Sequence, residues 1–362
     1  MKWFFHPVVI TLVVVTTIAS LNGLLSKKKL ELLDDDSLRT LALSHNMHAI
    51  PTEYQKLLTL VDTPKNPLSP EKIALGKALF FDTLLSKDKY ISCASCHILE
   101  EGGDDNLPTA IGYHGLANPS HLNSPTVLNA ALARFQFWDG RAKDVEEQAA
   151  GPMQAPFEMH MTPDEVVKRV SHDTYYAQKF QDVFGTKEIR FTQIQQSIGA
   201  YERTLLTRGK YDAFLEGNNS AMSPQAKRGM TRFIKAGCMG CHTGILLGGQ
   251  SIQKFPLRRY PAEYIGMLFK PNVKINESPY PFENTGGYLG RDDTFKFKVP
   301  TLRNITRTAP YFHNGTVDKI EEAVRIMSKY QLGDEFSQEE IADVVAFLKT
   351  LEGDLVLYDI KE

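Results

Sequence analysis

The chain reads LSPEKIALGKALFFDTLLSKDKYISCASCH from Leu68 to His97 and MSPQAKRGMTRFIKAGCMGCH from Met222 to His242, and these two stretches decide its fold. In each, a serine that can cap a helix precedes a proline. Proline is tolerated at the first helical position because the N–H there has no partner within the helix. A helical segment then leads into Cys-x-x-Cys-His. The shared order predicts a tandem duplication rather than a solenoid, because only two copies occur.

An amphipathic helix closes each unit. FTQIQQSIGAYERTLL begins at Phe191, and FSQEEIADVVAFLKTL begins at Phe336. Apolar residues recur at helical spacing in the second of these segments and form one face. The boundary between the units falls near Gly209 to Ser220, a polar stretch with a turn at Gly217.

The four cysteines of the chain are all in the two motifs, and a histidine follows each pair. Two thiols three residues apart lie on one helical turn and can reach the two vinyl groups at one edge of a haem. The next residue then offers its imidazole to the iron. This is the sequence signature of c-type haem attachment. It predicts two covalently bound haem c groups, held by Cys93, Cys96 and His97, and by Cys238, Cys241 and His242.

Two other uses of the cysteines are open on the motifs alone. A thioredoxin-like redox pair would not need the histidine and would follow a strand. A zinc site made from both pairs could use four thiolates, or two thiolates and two imidazoles. Haem is the preferred interpretation because both pairs carry the histidine and the repeat is helical.

The predicted fold is therefore all-α, with two tandem cytochrome c-like domains that span residues 66–212 and 213–362. Each carries one haem and long connecting loops. An N-terminal extension, residues 26–65, precedes them. Residues 1–25 form a separate segment, because Val8 to Leu25 is apolar and uncharged after Lys2. This segment predicts either a cleaved signal peptide or a membrane anchor, and both place the body of the protein in the periplasm.

The charge balance excludes one class of partner. The 362 residues include 41 Lys and Arg against 43 Asp and Glu, which gives a formal net charge of -2. A nucleic-acid-binding protein usually has a basic excess. Small molecules and proteins are the expected partners.

The sixth ligand of each iron separates electron transfer from chemistry, because His/Met ligation raises the potential whereas a displaceable ligand admits a substrate. The sequence offers three candidates in each domain. In the first they are His114, His121 and His160, and in the second Met267, His313 and Met327.

Two further runs resemble the bacterial dihaem cytochrome c peroxidases. They are NSPTVLNAALARFQFWDGRAKDVEEQAAGPMQAPFEM from Asn123 and KVPTLRNITRTAPYFHNGTVDKIEEAV from Lys298. The resemblance implies an enzyme that reduces hydrogen peroxide to water with electrons from a small c-type cytochrome or cupredoxin. It also implies a homodimer.

The same resemblance assigns the irons. The first haem would be the low-potential peroxidatic one, with His114 as its displaceable distal ligand. The family more commonly has Ile-Gly-His-Gly at this point, whereas this chain has IGYHG, with Tyr113 inserted. His121 is the second candidate for the distal ligand. The second would be the high-potential electron-transfer haem, with Met327 opposite His242.

The resemblance also implies roles for other side chains. Trp138 would lie between the haems. Glu158 would move a proton during peroxide cleavage, which a buried carboxylate can do, with Gln148 as its hydrogen-bonding partner in the distal pocket. A calcium ion would be bound by Asn123 and by the backbone carbonyls of Thr308 and Pro310.

Two alternatives to the peroxidase remain at this point. The chain also resembles the dihaem enzyme that oxidises tryptophans on a precursor of methylamine dehydrogenase, but that enzyme has a tyrosine where Met327 stands. A dihaem electron carrier without catalysis would have both irons permanently six-coordinate. Such a carrier has no use for the pair Gln148 and Glu158.

Overall fold

The computed structural model describes residues 32–257 and 281–356. The apolar run from Val8 to Leu25 and the ligand candidate Met267 lie outside these residues. Leu32 to Asp34 belong to a separate N-terminal unit, and the chain from Asp35 onward is one compact unit. No helix in the described residues is long and apolar enough to cross a bilayer.

The described chain is mostly helical, as the sequence predicts, with four strands of three residues each. In order, the α-helices and strands are α1 (Asp35–Ser44), α2 (Tyr54–Val61), α3 (Pro70–Phe81), α4 (Val145–Gln154), α5 (Pro163–His172), α6 (Thr174–Phe184), α7 (Phe191–Glu202), β1 (Thr207–Gly209), α8 (Lys210–Leu215), α9 (Pro224–Lys235), β2 (Ile252–Lys254), β3 (Lys296–Lys298), α10 (Ile320–Ile326), α11 (Gln338–Leu348) and β4 (Gly353–Leu355). A π-helix, Met327–Leu332, continues α10 directly.

The predicted helix starts are confirmed in both repeats. The Ser69 hydroxyl accepts a hydrogen bond from the Lys72 N–H at 3.2 Å, and the Ser223 hydroxyl accepts one from the Ala226 N–H at 3.2 Å. In each helix proline holds the first position. A short 3₁₀ turn, Cys93–Ser95 or Cys238–Gly240, then carries the cysteines. Local sequence signals therefore specify the same helix start and the same cysteine-bearing turn in both repeats.

Each repeat is built on one helix pair. Helix α3 packs on α7, and α9 packs on α11. A glycine allows the close approach in both pairs: a Cβ on Gly76 would lie 1.8 Å from the Ser197 carbonyl oxygen, and one on Gly229 would lie 1.8 Å from that of Asp343. The predicted apolar face of α11 is buried, at Ile341, Val344, Val345 and Leu348. The two halves thus share their packing as well as their order.

The polar stretch expected at the boundary between the halves forms regular structure. Strand β1 pairs antiparallel with β4, so the end of the first half joins the end of the second. Helix α8 follows at once and buries Tyr211, Asp212 and Phe214. Polar composition misleads here because Asp212 is buried through an ion pair with Arg303.

From Asp35 onward, the N-terminal extension is part of the same compact unit. Asp35 of α1 forms an ion pair with Lys227 of α9 at 2.8 Å. Ile50, Leu57 and Val61 form a small core with Leu206. Strands β2 and β3 form the second two-stranded sheet, with Ile252 opposite Lys298. The separation into two haem-bearing domains at residue 213 remains a prediction.

Candidate active site

Two cavities of the compact unit contain the two motifs. The first cavity is lined by Cys93, Cys96 and His97. The second cavity is lined by Cys238, Cys241 and His242. Because each cysteine pair faces its own cavity, the arrangement does not fit a zinc site that both pairs would share.

The two motif histidines are held in the same way. The Nδ1–H of His97 donates to the Gly103 carbonyl at 3.1 Å, and the Nδ1–H of His242 donates to the Leu247 carbonyl at 3.1 Å. A carbonyl only accepts, so Nδ1 carries the proton and Nε2 keeps its lone pair. Burial lowers the pKa of both rings, to about 4 for His242. Both are neutral imidazoles ready to bind a metal through Nε2.

The thiols are set apart from catalytic cysteines by their surroundings. Burial raises the pKa of all four, to about 12 for Cys96 and for Cys238. A thiolate nucleophile or zinc ligand needs the opposite shift. Neutral thiols beside a prepared imidazole, at the wall of a mainly apolar cavity, fit covalent attachment of a haem. The residues of both motifs therefore fit the cofactor that the sequence predicts.

The first cavity also holds the predicted acid and its partner. Glu158 and Gln148 both line it, together with Met159 and Arg141. Burial raises the pKa of the Glu158 carboxyl to about 7, against the opposing charge of Arg141. A carboxyl that titrates near neutral pH can both take and return a proton. The two residues line the same cavity, as the resemblance implies.

His114 lies outside this cavity. It is exposed at the tip of a tight loop and has a left-handed backbone, with φ 53°. Gly112 allows the loop to pass close to Phe157, because a Cβ on Gly112 would lie 2.2 Å from the Phe157 carbonyl oxygen. The inserted residue, Tyr113, donates its N–H to the Glu158 carbonyl at 2.8 Å and stacks on His160 with ring centroids 4.5 Å apart.

The other two histidines near this loop do not line the first cavity either. The ring of His160 is exposed, and its Nδ1 donates to the Pro156 carbonyl at 2.8 Å. The Nδ1 of His121 is buried and has no hydrogen-bond partner among the described residues. Neither His114 nor the fallback His121 therefore faces the motif histidine in this conformation.

The second cavity contains Met327 as well as His242. Met327 is the first residue of the π-helix. Short π-helical segments often mark functional sites, because the extra residue per turn changes the direction in which side chains point. The surroundings are apolar and include Phe233, Phe336 and Leu348. A thioether and an imidazole in an apolar cavity are the pair found in electron-transfer haem sites.

Trp138 lies in the wall that the two cavities share. Residues that line both cavities are Asn123, Ser124, Pro125, Thr126, Ala130, Trp138 and Lys298. The indole N–H of Trp138 donates to the Asn123 carbonyl at 2.9 Å, which fixes the ring. The edge of the ring faces His313 with centroids 6.4 Å apart. An aromatic ring thus separates the two candidate haem sites.

The residues expected to bind calcium line the same cavity. Asn123, Thr308 and Pro310 line the second cavity. The Asn123 amide donates to the Leu107 carbonyl at 2.9 Å, so its oxygen can still serve as a ligand. His313 is buried beside them, and burial lowers its pKa to about 3. Its Nε2 is 3.1 Å from the Asn284 side-chain oxygen, which fits a structural role.

Sequence reasoning missed three charged groups at the cavities. Glu202, at the end of α7, lines the first cavity and is 5% exposed. Arg141 lies over the Phe137 ring at 3.5 Å and pairs with Asp139. Lys298 lines both cavities. A two-residue strand period places Lys296 and Lys298 on one face, so the sequence does not distinguish the buried lysine from the exposed one.

The family model described as di-haem cytochrome c peroxidase matches residues 70–220. The cytochrome c551 peroxidase of Nitrosomonas europaea is 43% identical over 293 residues, which are 81% of this chain and 82% of that protein. The chain belongs to the di-haem cytochrome c peroxidase family. Membership makes it an oxidoreductase and implies two haem c cofactors, one for each motif.

Other members of the wider group are more distant. The methylamine utilization protein MauG of Methylorubrum extorquens is 32% identical over 329 residues, 86% of this chain and 87% of that one. A solved structure of a MauG-like protein associated with microbial copper homeostasis has a TM-score of 0.67 and 27% identity. It covers 83% of this chain and 94% of that chain. The fold of this chain is thus similar to that of the MauG-like protein over most of its length.

Proposed function

We propose that this protein reduces hydrogen peroxide to water with electrons from a small c-type cytochrome or cupredoxin. One observation carries the proposal: the two cavities differ, since the first holds Glu158 and Gln148 whereas the second holds Met327. A cavity with an acid that titrates near pH 7 suits cleavage of a peroxide bond. A cavity with a thioether suits storage of an electron.

The reaction consumes two electrons and two protons for each hydrogen peroxide and releases two waters. The bound haems supply the electrons and the iron at which the peroxide bond breaks. Glu158, as a carboxylate, would take the proton from one oxygen of the peroxide and return it to the departing oxygen. Gln148 donates and accepts hydrogen bonds that keep peroxide in line with this carboxylate. Trp138, in the shared wall, provides the route for electrons between the sites.

Access to the first cavity is proposed to depend on the His114 loop. His114 would be the sixth ligand in the resting state and would leave when the electron-transfer site is reduced. In the proposed open arrangement the imidazole would have moved away from the cavity, and the exposed position of His114 supports this proposal. In that arrangement the loop is held by the Tyr113 hydrogen bond to Glu158 and by the stack on His160. Movement of the loop would then break the hydrogen bond to the Glu158 carbonyl and change the position of Glu158.

Several further parts of the proposal rest on the resemblance. The two domains would span residues 66–212 and 213–362, and the protein would be a periplasmic homodimer with a cleaved or anchored N-terminal segment. A calcium ion would sit at Asn123, Thr308 and Pro310. The oxygen ligands of that set suit calcium rather than a transition metal.

The test is peroxide turnover by the purified holoprotein, first fully oxidised and then half-reduced, with optical spectra in both states. We expect turnover and a high-spin signal on half-reduction. The variant His114→Gly should give the high-spin signal in the fully oxidised protein. A low-spin spectrum that this substitution leaves unchanged would remove His114 as the ligand. Two low-spin haems and no turnover after half-reduction would make the protein an electron carrier.

A further inference from the structure

Lys298 is a buried cation at the wall between the two cavities. It is the last residue of β3, it is 9% exposed, and it lines both cavities. Its backbone N–H donates to the Trp138 carbonyl at 2.7 Å, so strand and indole are fixed to each other. Lys298 therefore lies in the same wall as Trp138, between the two candidate haem sites.

This amine has no anion to balance it within the described residues. Asp139 is the acid whose charge acts on it, but Asp139 is already paired with Arg141 at 3.0 Å. An unbalanced buried ammonium is costly, and burial lowers the pKa of Lys298 to about 8. A site that keeps such a group is completed by a negatively charged ligand.

We propose that Lys298 is a cofactor-binding residue whose ammonium group binds the propionate carboxylates of the haems in both cavities. The inference rests on the two haems of the proposed function. Each haem carries two propionates, which are the negative charges that the cofactor itself brings to an otherwise apolar cavity. An ammonium group has three N–H donors and can serve one carboxylate from each side.

A shared cation has a consequence for both haems. Ferric iron carries one more positive charge than ferrous iron, so a nearby ammonium group disfavours the oxidised state. Loss of the ammonium should therefore lower both reduction potentials. A lysine that only filled space in the wall would leave the potentials alone when replaced by an apolar side chain of similar length.

The experiment compares Lys298→Met with wild type in the holoprotein, by optical redox titration of each haem. We expect the equilibrium constant for reduction of both haems to fall about tenfold or more, which for one electron corresponds to about 59 mV. Lys298→Arg should restore most of the difference. Lys296→Met, two residues earlier on the same strand and exposed, is the matched control and should leave both potentials unchanged.

The inference is overturned if both constants of Lys298→Met stay within about twofold of wild type. If that variant does not fold, the crystal structure of the wild-type holoprotein decides. Nζ within hydrogen-bond distance of a propionate oxygen supports the proposal, and more than about 4 Å from every propionate oxygen refutes it. Potentials report on cofactor binding and turnover reports on peroxide chemistry. A shift in potential without any peroxidase activity would therefore retain this inference and reject the proposed function.

Discussion

Burial raises the pKa of Glu158 and of Asp104, but the surroundings of these two carboxyl groups differ. Glu158 faces the first cavity, where substrate and solvent can exchange protons with it. Asp104 is fully buried, and neither of its oxygens has a hydrogen-bond partner among the described residues. Burial raises the pKa of both groups to about 7. The first suits chemistry, whereas the second affects stability.

Replacement of Glu158 by glutamine should abolish most of the activity without loss of haem. We expect peroxide turnover to fall about 10²- to 10⁴-fold, the usual value of a positioned proton-transfer group. In wild type, kcat/KM should fall as the pH drops through about 7, because only the carboxylate can accept the proton. The variant should lack this limb. Glu188→Gln, at an exposed position, is the control, and a Glu158→Gln variant within threefold of wild type would contradict the role.

Asp104→Asn should change the pH dependence of stability. The folded pKa is about 7 and the unfolded pKa about 3.9, so the folded state holds its proton more tightly. This contribution is complete below about pH 4 and is lost as the pH rises through about 7. The free energy of unfolding of the variant should therefore rise relative to that of wild type between pH 4 and pH 8, by up to about 4 kcal/mol.

Denaturant unfolding of the two holoproteins, with a chelator present to remove divalent cations, measures this difference. The stability of the control variant Glu100→Gln, at an exposed position, should follow that of wild type at every pH. Stability curves that are also parallel for Asp104→Asn would mean that the carboxyl titrates normally in the folded protein.

At the scale of elements, the helix pair is the repeated unit, and a glycine determines how closely its two helices approach. Gly229 of α9 lies against the backbone of α11, as Gly76 of α3 lies against that of α7. An exposed helical glycine would gain from replacement by alanine, which has the higher helix propensity. At these two positions the added methyl group has no space.

Gly229→Ala should destabilise the protein by about 1–3 kcal/mol or more, because its Cβ would lie 1.8 Å from the Asp343 carbonyl oxygen and the helices would have to separate. Gln225→Ala, an exposed substitution on the same helix α9, is the control and should leave the stability nearly unchanged. Urea unfolding compares the two. Equal stabilities for both variants would show that α9 and α11 can move apart without cost.

For the whole molecule, one buried ion pair connects three distant parts of the chain. Asp212 and Arg303 are both fully buried and joined by bonds of 3.0 and 2.8 Å. Asp212 also accepts from the Ile50 N–H at 2.7 Å, and Arg303 donates to the Ile245 carbonyl at 2.6 Å. The N-terminal extension, α8 and the second half therefore meet at a single carboxylate.

Asp212→Asn should destabilise the protein by about 3–5 kcal/mol, because it leaves the Arg303 guanidinium buried without its counter-charge. The surface pair of Glu53 and Lys56 is the comparison, and Glu53→Gln should cost less than about 1 kcal/mol. Unfolding monitored at the haems and by far-ultraviolet circular dichroism measures both variants. A loss below about 1 kcal/mol for Asp212→Asn would show that the pair does not hold the three parts together.

Features encoded within a few consecutive residues could be predicted before the fold was known. Ser69 and Ser223 specify helix starts, Cys-x-x-Cys-His specifies attachment of a haem, and the apolar period of the segment from Phe336 specifies a closing helix. The motifs around Trp138 and Glu158 were enough to find the family. Each of these signals depends on local geometry, so it can be found without knowledge of the fold.

The tertiary structure decided what depends on residues far apart in the chain. Whether a side chain is buried, and next to which charge, is set by contacts such as those of Asp212 with Arg303 or of Lys298 with Trp138. The sequence gives Lys296 and Lys298 the same appearance, and it makes α8 look like a linker. Only the packed chain determines that Lys298 faces both cavities and that His114 faces neither. Burial and electrostatic environment are properties of the assembled surroundings, which no short segment contains.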